Sequence, residues 1–211
     1  MKELIELARK VKDEKLRERV VEFLKSPALF NRDFKKYPMM KIEEAKTVFS
    51  AGAGAAPVER DVLSHTIALV ELCESSAKII KKIYNIPIDE DSLIAAAILH
   101  DVMHLFEYRK SPNGSVEHTG IMLDHTMLAV AELYHRGFPE SVIHIIASHF
   151  GEGGPTPPRS FEAVMLHHLD TMLAVTEYHL YAAAQSQQQI PIIFLDEDSI
   201  KKLSGENPGK E

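Results

Sequence analysis

Apolar residues recur at intervals of three and four along most of the chain, which is the spacing of amphipathic helices. The first such stretch ends at Phe23 and Leu24 and is closed by Pro27. Further helices are predicted over about residues 58–84, 89–106, 118–135, 139–150 and 159–185. The pattern therefore predicts an all-α bundle of about seven helices.

Segments rich in Gly and Pro divide this pattern. Ser50–Pro57 reads SAGAGAAP and is predicted to be a flexible connector, with a lid over a pocket as the alternative. Ile190–Leu195 is the only stretch with the composition of a strand, and the end of the chain, GENPGKE, is predicted to be disordered. We accordingly expect an N-terminal helix and connector over residues 1–57, a core domain over 58–185 and a C-terminal extension over 186–211.

The composition excludes several classes of function. The chain has 24 Lys and Arg against 31 Asp and Glu, a formal net charge of −7. This balance argues against a broad basic surface that follows a long nucleic acid. The single Cys73 excludes an internal disulfide. The charged N-terminal residues lack the apolar core of a signal peptide. No apolar run reaches the length of about 20 residues that a membrane helix needs. We expect a cytoplasmic protein without a membrane span, and the sequence leaves open whether it forms a homo-oligomer.

All 11 histidines lie between His65 and His179, and several fall on apolar helix faces. Six inward-facing residues come from five predicted helices: His65, His100, Asp101, His125, His149 and Asp170. A lone histidine on an apolar face is more often a core residue bonded to a backbone carbonyl. A buried, unpaired carboxylate such as Asp170, however, costs several kcal/mol. A shared metal centre would remove this cost for the whole set.

The donor atoms limit the metal and its chemistry. Imidazoles and carboxylates suit Fe, Mn, Ni, Co or Zn, whereas a lone Cys excludes tetrahedral thiolate zinc. Six ligands are more than one ion normally takes together with water, which favours two ions and leaves one as the alternative. Two ions about 3.5–4 Å apart activate water and clamp the oxygens of a phosphoryl group. The set therefore favours metal-dependent phosphoryl hydrolysis.

The order and spacing of LSHT, AAAILHDVMH and HHLDTMLA resemble the HD-domain phosphohydrolase superfamily. They carry His65, the adjacent His100 and Asp101, and Asp170. LDHT with His125 and SHFGEGGPTPP with His149 are similar to the HD domain of bacterial three-prime-to-five-prime exoribonucleases and of archaeal cyclic phosphodiesterases of pterin biosynthesis. The resemblance covers about residues 58–181 and implies an HD-type helical bundle.

The resemblance implies a role for each predicted ligand. A first metal would be held by His65, His100, Asp101 and Asp170, and Asp101 would bridge to a second held also by His125 and His149. A metal-activated water would attack phosphorus.

Two positions depart from the family. In the family, Gly-Lys often follows the His-Asp pair, whereas this chain reads Val102-Met103-His104. The loop after the fifth ligand often carries a second His, and this chain has Phe150 there. We therefore predict Asp101 and His104 as catalytic residues, with His104 in the cationic or proton-donating role. Alternatively, His104 only orients a metal ligand and contacts neither metal nor substrate.

A phosphate substrate also requires positive charge. Arg159 begins a predicted helix after the Gly/Pro loop and is the first candidate for substrate binding. Arg109, Lys110 and Arg60 are weaker candidates. His118 is left open between substrate binding and exposure. The remaining polar residues of this region are predicted to be structural or exposed: His135, His144, His167, His179, Glu117, Glu132 and Glu177.

These features predict a metal-dependent phosphodiesterase acting on a small phosphorylated substrate. The substrate is expected to be nucleotide-like or a two-prime,three-prime cyclic phosphate, with dihydroneopterin cyclic phosphate as one candidate and Fe or Mn as the metal. A nucleotidase or dNTP phosphohydrolase on the same metal frame is the alternative enzyme. An inactive HD module that binds metal and senses a ligand or partner is the alternative of another class.

Overall fold

The computed structural model describes residues 1–50 and 55–186 and is built mainly of helices. The helices are α1 (Lys2–Leu7), α2 (Glu14–Lys25), α3 (Val62–Tyr84), α4 (Glu90–Leu99), α5 (His104–Glu107), α6 (His125–His135), α7 (Glu140–Ala147) and α8 (Phe161–Ser186). The strands are β1 (Lys46–Phe49), β2 (Val58–Asp61), β3 (Tyr108–Lys110) and β4 (Val116–His118). Because the strands within these described residues form only two short pairs, the all-α prediction is confirmed.

Helix α4 lies at the centre of the core. Every residue from Ser92 to Leu99 is buried, because α4 packs against α2, α3, α7 and α8. The N-terminal helices close one side through Leu4, Val20 and Phe23, which are at most 1% exposed. Among the described residues, no helix combines the length and apolar character that crossing a bilayer requires.

The chain from Val58 to Asp61, predicted as the start of a long helix, is instead a strand. It pairs antiparallel with β1, with Phe49 opposite Val58 and Lys46 opposite Asp61. Helix α3 begins only at Val62 because the Asp61 side chain accepts a hydrogen bond from the Ser64 backbone N–H at 2.7 Å and caps the helix. Residues 51–54 lie outside the described residues, so the connector or lid prediction is not addressed there.

Two further boundaries differ from the predictions. The helix expected from His118 begins at His125, since Asp124 caps α6 and β4 pairs with β3 before it. The helix expected to run through Phe106 is broken after Leu99, where bonds between residues three apart replace the α-helical pattern. The expectation that residues 190–195 are the only stretch able to form a strand is wrong, because four strands lie elsewhere in the described residues. That segment and the predicted disordered tail lie outside the described residues.

Candidate metal centre

Five parts of the chain bring the six predicted ligands together. His65 lies on α3, His100 and Asp101 follow α4, His125 begins α6, His149 follows α7, and Asp170 lies on α8. The side chains of the first five are buried, and that of Asp170 is 16% exposed. The turn that ends α4 directs the consecutive side chains of His100 and Asp101 to one point. In a continuous helix these two side chains would point about 100° apart.

Two groups of nitrogen and oxygen atoms form around Asp101. In the first, Asp101 Oδ2 lies 3.4 Å from His100 Nε2 and 3.8 Å from His65 Nε2. His65 Nε2 also contacts Asp170 Oδ1 at 3.1 Å.

In the second group, Asp101 Oδ1 lies 3.4 Å from His125 Nε2. His125 Nε2 is in turn 3.3 Å from His149 Nε2. The atoms of each trio that contains Asp101, either with His65 and His100 or with His125 and His149, lie within 4.8 Å of one another. Asp101 thus contributes one oxygen to each group.

The hydrogen bonds of the outer ring nitrogens fix which atoms face inward. His149 Nδ1 donates to the Ile146 carbonyl at 2.8 Å, and His100 Nδ1 donates to the Ala97 carbonyl at 2.9 Å. In a neutral ring the other nitrogen is then an acceptor. His100 Nε2 is buried without a hydrogen-bond partner, beside a carboxylate oxygen. Acceptors that face acceptors fit a bound cation, so the donor set and its geometry suit metal ions of the kind predicted.

The pKa values follow from burial and from neighbouring charges. Burial, followed by the charges of His100 and His125, lowers the pKa of His149 to about 4. Burial also lowers the pKa of His125. Burial alone would raise the pKa of Asp101, but the imidazoles of His100 and His104 outweigh it and hold this pKa well below its usual range. His149 and His125 are therefore neutral and Asp101 ionised near pH 7, as metal binding requires.

His65 behaves differently because carboxylates contact both of its nitrogens. Glu177 Oε2 lies 2.9 Å from Nδ1 and Asp170 Oδ1 lies near Nε2. Burial lowers the pKa of His65, but its hydrogen bonds with Asp170 and Glu177 outweigh this and raise the pKa to about 9. The prediction that Glu177 is exposed is wrong: it is 7% exposed, and it lies seven residues, or two helical turns, after Asp170 on the same face of α8.

Arg60, a weaker candidate in the sequence, lies inside the centre. Its Nη2 donates to Asp101 Oδ2 at 2.8 Å, and its guanidinium lies over the Phe49 ring at 5.1 Å. It reaches this position because β2 ends directly before α3. The sequence signal was its place five residues before His65.

Glu107 is a functional candidate that the sequence analysis missed. It is 6% exposed, and its carboxylate contacts His104 Nδ1 at 2.5 Å. Burial would raise the pKa of Glu107, but hydrogen bonds from His104 and His125 hold it far below its usual range. The available signal was its position three residues after His104, on the same helical turn at the end of an apolar run.

A cavity of about 390 Å³ opens onto the centre. Asp101, His104, His125, His149 and Asp170 line its floor. The walls come from β1, β2, β3, α8 and the segment after α7. They include Val48, Phe49, Arg60, Tyr108, Phe150, Thr171 and Val175. A larger cavity of about 980 Å³ lies between α2 and the end of α6, but it contains none of the clustered His and Asp residues. The smaller cavity is therefore the candidate active site.

The other predicted substrate-binding residues lie outside this cavity. Arg109 pairs with Glu117 at 2.8 Å and Lys110 pairs with Glu44 at 2.9 Å, all on exposed side chains. Arg159 is exposed, and its backbone N–H donates to His144 Nε2 at 3.0 Å. The structure thus brings none of these three cations to the metal cluster.

The remaining polar residues divide into buried and exposed positions. Glu132, predicted to be exposed, is 5% exposed, because Oε1 accepts the Phe30 backbone N–H at 2.7 Å where residues 28–31 cover α6. His135 and His179 are exposed as predicted, and His118, which the sequence left open, is exposed too. His144, predicted to be exposed, is half-buried because its Nε2 accepts the Arg159 backbone N–H. His167 is half-buried, and its Nδ1 donates to the His149 carbonyl at 2.7 Å.

The fold and this site define a class of protein. A family model described as HD domain matches residues 62–192. The chain therefore belongs to the HD-domain family of metal-dependent phosphohydrolases, which confirms the resemblance read from the sequence.

Particular relatives narrow the comparison. The dihydroneopterin 2′,3′-cyclic phosphate phosphodiesterase of Methanocaldococcus jannaschii is 37% identical over 171 residues, which cover 81% of this chain and 67% of that protein. The 3′-5′ exoribonucleases YhaM of a Geobacillus species and of Bacillus subtilis are 30% and 32% identical over 119 residues. The match to them covers 51% of this chain but only 35% and 36% of the exoribonucleases. No solved structure gives a significant match.

Proposed function

We propose that this protein is a phosphodiesterase that opens a cyclic phosphate on a small ring-bearing substrate, with dihydroneopterin 2′,3′-cyclic phosphate as the first candidate. The observation that carries the proposal is the approach of His125 Nε2 to His149 Nε2 at 3.3 Å beside Asp101. Because its Nδ1 donates to the Ile146 carbonyl, a neutral His149 presents its Nε2 lone pair to this point, as a metal ligand does. The likeness to the archaeal phosphodiesterase supports the substrate class.

In this proposal the six residues hold two divalent ions. His65, His100 and Asp170 would hold one, and His125 and His149 the other, with Asp101 contributing an oxygen to each. Imidazole and carboxylate donors suit Fe²⁺ or Mn²⁺. Bound ions of this kind lower the pKa of water and neutralise the charge of a phosphoryl group.

The protein's own residues would bind the substrate and supply a proton. Opening a cyclic phosphodiester forms one bond from a water oxygen to phosphorus, breaks one ester P–O bond and requires a proton on the leaving oxygen. His104 lines the cavity, with Nε2 3.5 Å from Asp101 Oδ1, and is our candidate for the proton donor. Arg60 is our candidate for binding a phosphate oxygen.

The cavity favours a small substrate over a long strand. Its volume of about 390 Å³ lies within the range of small-ligand sites. The rings of Phe49, Tyr108 and Phe150 form part of its wall and suit a flat heterocycle. Because β1 supplies Phe49 and pairs with β2, we propose that the catalytic unit begins with β1 and not at residue 58.

The proposal is tested with protein purified without oxygen and analysed for its metal content. Activity is then compared on cyclic nucleotides, dihydroneopterin cyclic phosphate, nucleoside monophosphates and triphosphates, each with added Mn²⁺ or Fe²⁺. We expect turnover of cyclic phosphates. Preference for mono- or triphosphates would indicate the nucleotidase alternative. Metal binding without turnover of these substrates or of bis-p-nitrophenyl phosphate would indicate the inactive sensor module.

A further inference from the structure

Glu107 lies at the outer edge of two stacked histidine rings beside the centre. The rings of His104 and His125 have centroids 3.7 Å apart and an interplanar angle of 31°. Glu107 Oε2 lies 2.5 Å from His104 Nδ1 and 3.5 Å from His125 Nδ1. Its other oxygen, Oε1, accepts the His125 backbone N–H at 2.7 Å. One carboxylate thus contacts both rings and the start of α6.

The opposite edges of the two rings meet a second carboxylate. His104 Nε2 and His125 Nε2 lie 3.5 Å and 3.4 Å from Asp101 Oδ1. Both rings therefore point Nδ1 outward to Glu107 and Nε2 inward to Asp101. In a neutral His125 ring, a proton held on Nδ1 beside Glu107 leaves the Nε2 lone pair free for a cation.

We propose that Glu107 is a positioning residue, which fixes the proton on His125 Nδ1 and so makes His125 Nε2 available to the second metal ion. The inference rests on the proposed metal centre. Within the described residues, no Lys or Arg lies within salt-bridge distance of Glu107, so the two imidazoles and one backbone N–H are its polar partners. The Glu107 carboxylate therefore binds the two imidazoles and is not paired with a Lys or Arg side chain.

A purely structural role would use Oε1 alone, as a staple between α5 and α6. The Glu107→Gln variant separates the two roles. Its amide oxygen can still accept the His125 backbone N–H, but its NH₂ group would face His125 Nδ1 and can only donate to it. The proton of His125 would then move to Nε2 and block that atom as a ligand.

Metal binding is the first test. Mn²⁺ is titrated calorimetrically into the metal-free protein, and the bound metal is counted by elemental analysis. We expect two ions in the native protein, and in Glu107→Gln an affinity for one of them that is about 10- to 100-fold weaker. Glu117→Gln, on the exposed strand β4, is the matched control and should bind both ions normally. Native affinity for both ions in Glu107→Gln would overturn the inference.

The second test requires no variant. Nitrogen-15 spectra of the histidine rings in the native metal-free protein, recorded above the usual pKa of histidine, report which nitrogen carries the proton. We expect the proton of His125 on Nδ1, and its transfer toward Nε2 in Glu107→Gln. A native His125 protonated on Nε2 would refute the positioning role even if Glu107→Gln did not fold. Absence of Mn²⁺ binding in the native protein would instead refute the proposed function.

Discussion

The Arg60 guanidinium donates a hydrogen bond to Asp101 Oδ2 at 2.8 Å, the same oxygen that lies 3.4 Å from His100 Nε2. Among the described residues that line the cavity, Arg60 is the one Lys or Arg. The resemblance implies Gly-Lys after the His-Asp pair, where this chain has Val102 and Met103. The positive charge beside the phosphate would therefore come from β2 in this chain.

Replacing Arg60 with Gln should weaken substrate binding more than metal binding. Loss of a charge-assisted hydrogen bond costs about 1.5–3 kcal/mol, so we expect KM for a cyclic phosphate to rise about 10- to 100-fold. Metal content should stay at the native value, because no predicted ligand is removed. Steady-state kinetics with parallel elemental analysis measures both quantities.

Arg159→Gln serves as the matched control for Arg60→Gln. The sequence predicts Arg159 as a substrate-binding residue, whereas its side chain lies outside the cavity. A rise in KM in Arg159→Gln with none in Arg60→Gln would return the phosphate-binding role to the helix start at Arg159.

Asp101→Asn should remove both metal ions and activity together. Asp101 contributes Oδ2 to one group and Oδ1 to the other, and a neutral amide cannot bridge two cations. The amide oxygen can still accept from Arg60, so the helical circular dichroism spectrum should be retained. Activity that survives in a folded, metal-depleted Asp101→Asn protein would contradict the bridging role.

His149→Ala should remove one ion of two. His149 Nε2 contacts only the second group, and the first group keeps His65, His100, Asp101 and Asp170. We expect half of the native metal content and a loss of activity. His144→Ala changes a half-buried histidine of α7 that is not a predicted ligand, and this control variant should keep the native metal content. An unchanged metal content in His149→Ala would indicate a mononuclear centre.

Much of the fold could be predicted because apolar periodicity and capping residues are local signals. Asp89 lies at the predicted start of its helix and accepts the Ser92 backbone N–H, whereas the caps at Asp61 and Asp124 were not distinguished and those two helices were predicted to begin too early. Gly137 follows the predicted helix end at residue 135 and has a φ of 69°, the left-handed conformation that suits a helix exit. The short hairpins were missed because strands of three or four residues show no alternation that exceeds chance, and their pairing depends on residues far apart in the chain.

The site divides in the same way. Inward-facing His and Asp residues on apolar faces stand out in the sequence, and the structure brings all six together. Glu107 and Glu177 did not stand out, since a glutamate on an amphipathic helix is usually exposed. Glu107 is buried against His125 of α6 as well as His104 on its own helical turn, and Glu177 is buried against His65 of α3. Each half of the centre thus has an outer carboxylate that the sequence pattern does not distinguish from surface charge.

Gly151→Ala should disturb the second half of the centre without touching a predicted ligand. Gly151 has a φ of 63°, and a Cβ atom there would overlap the His167 ring. That ring cannot move freely, because its Nδ1 donates to the His149 carbonyl at 2.7 Å.

We expect Gly151→Ala to lose about 1–3 kcal/mol in the free energy of unfolding, measured by urea denaturation, and to bind one Mn²⁺ ion more weakly. Gly153→Ala, where a Cβ would meet nothing within 4 Å, is the matched control and should behave as the native protein. Equal stability and metal binding in both variants would show that His167 does not hold His149 in place.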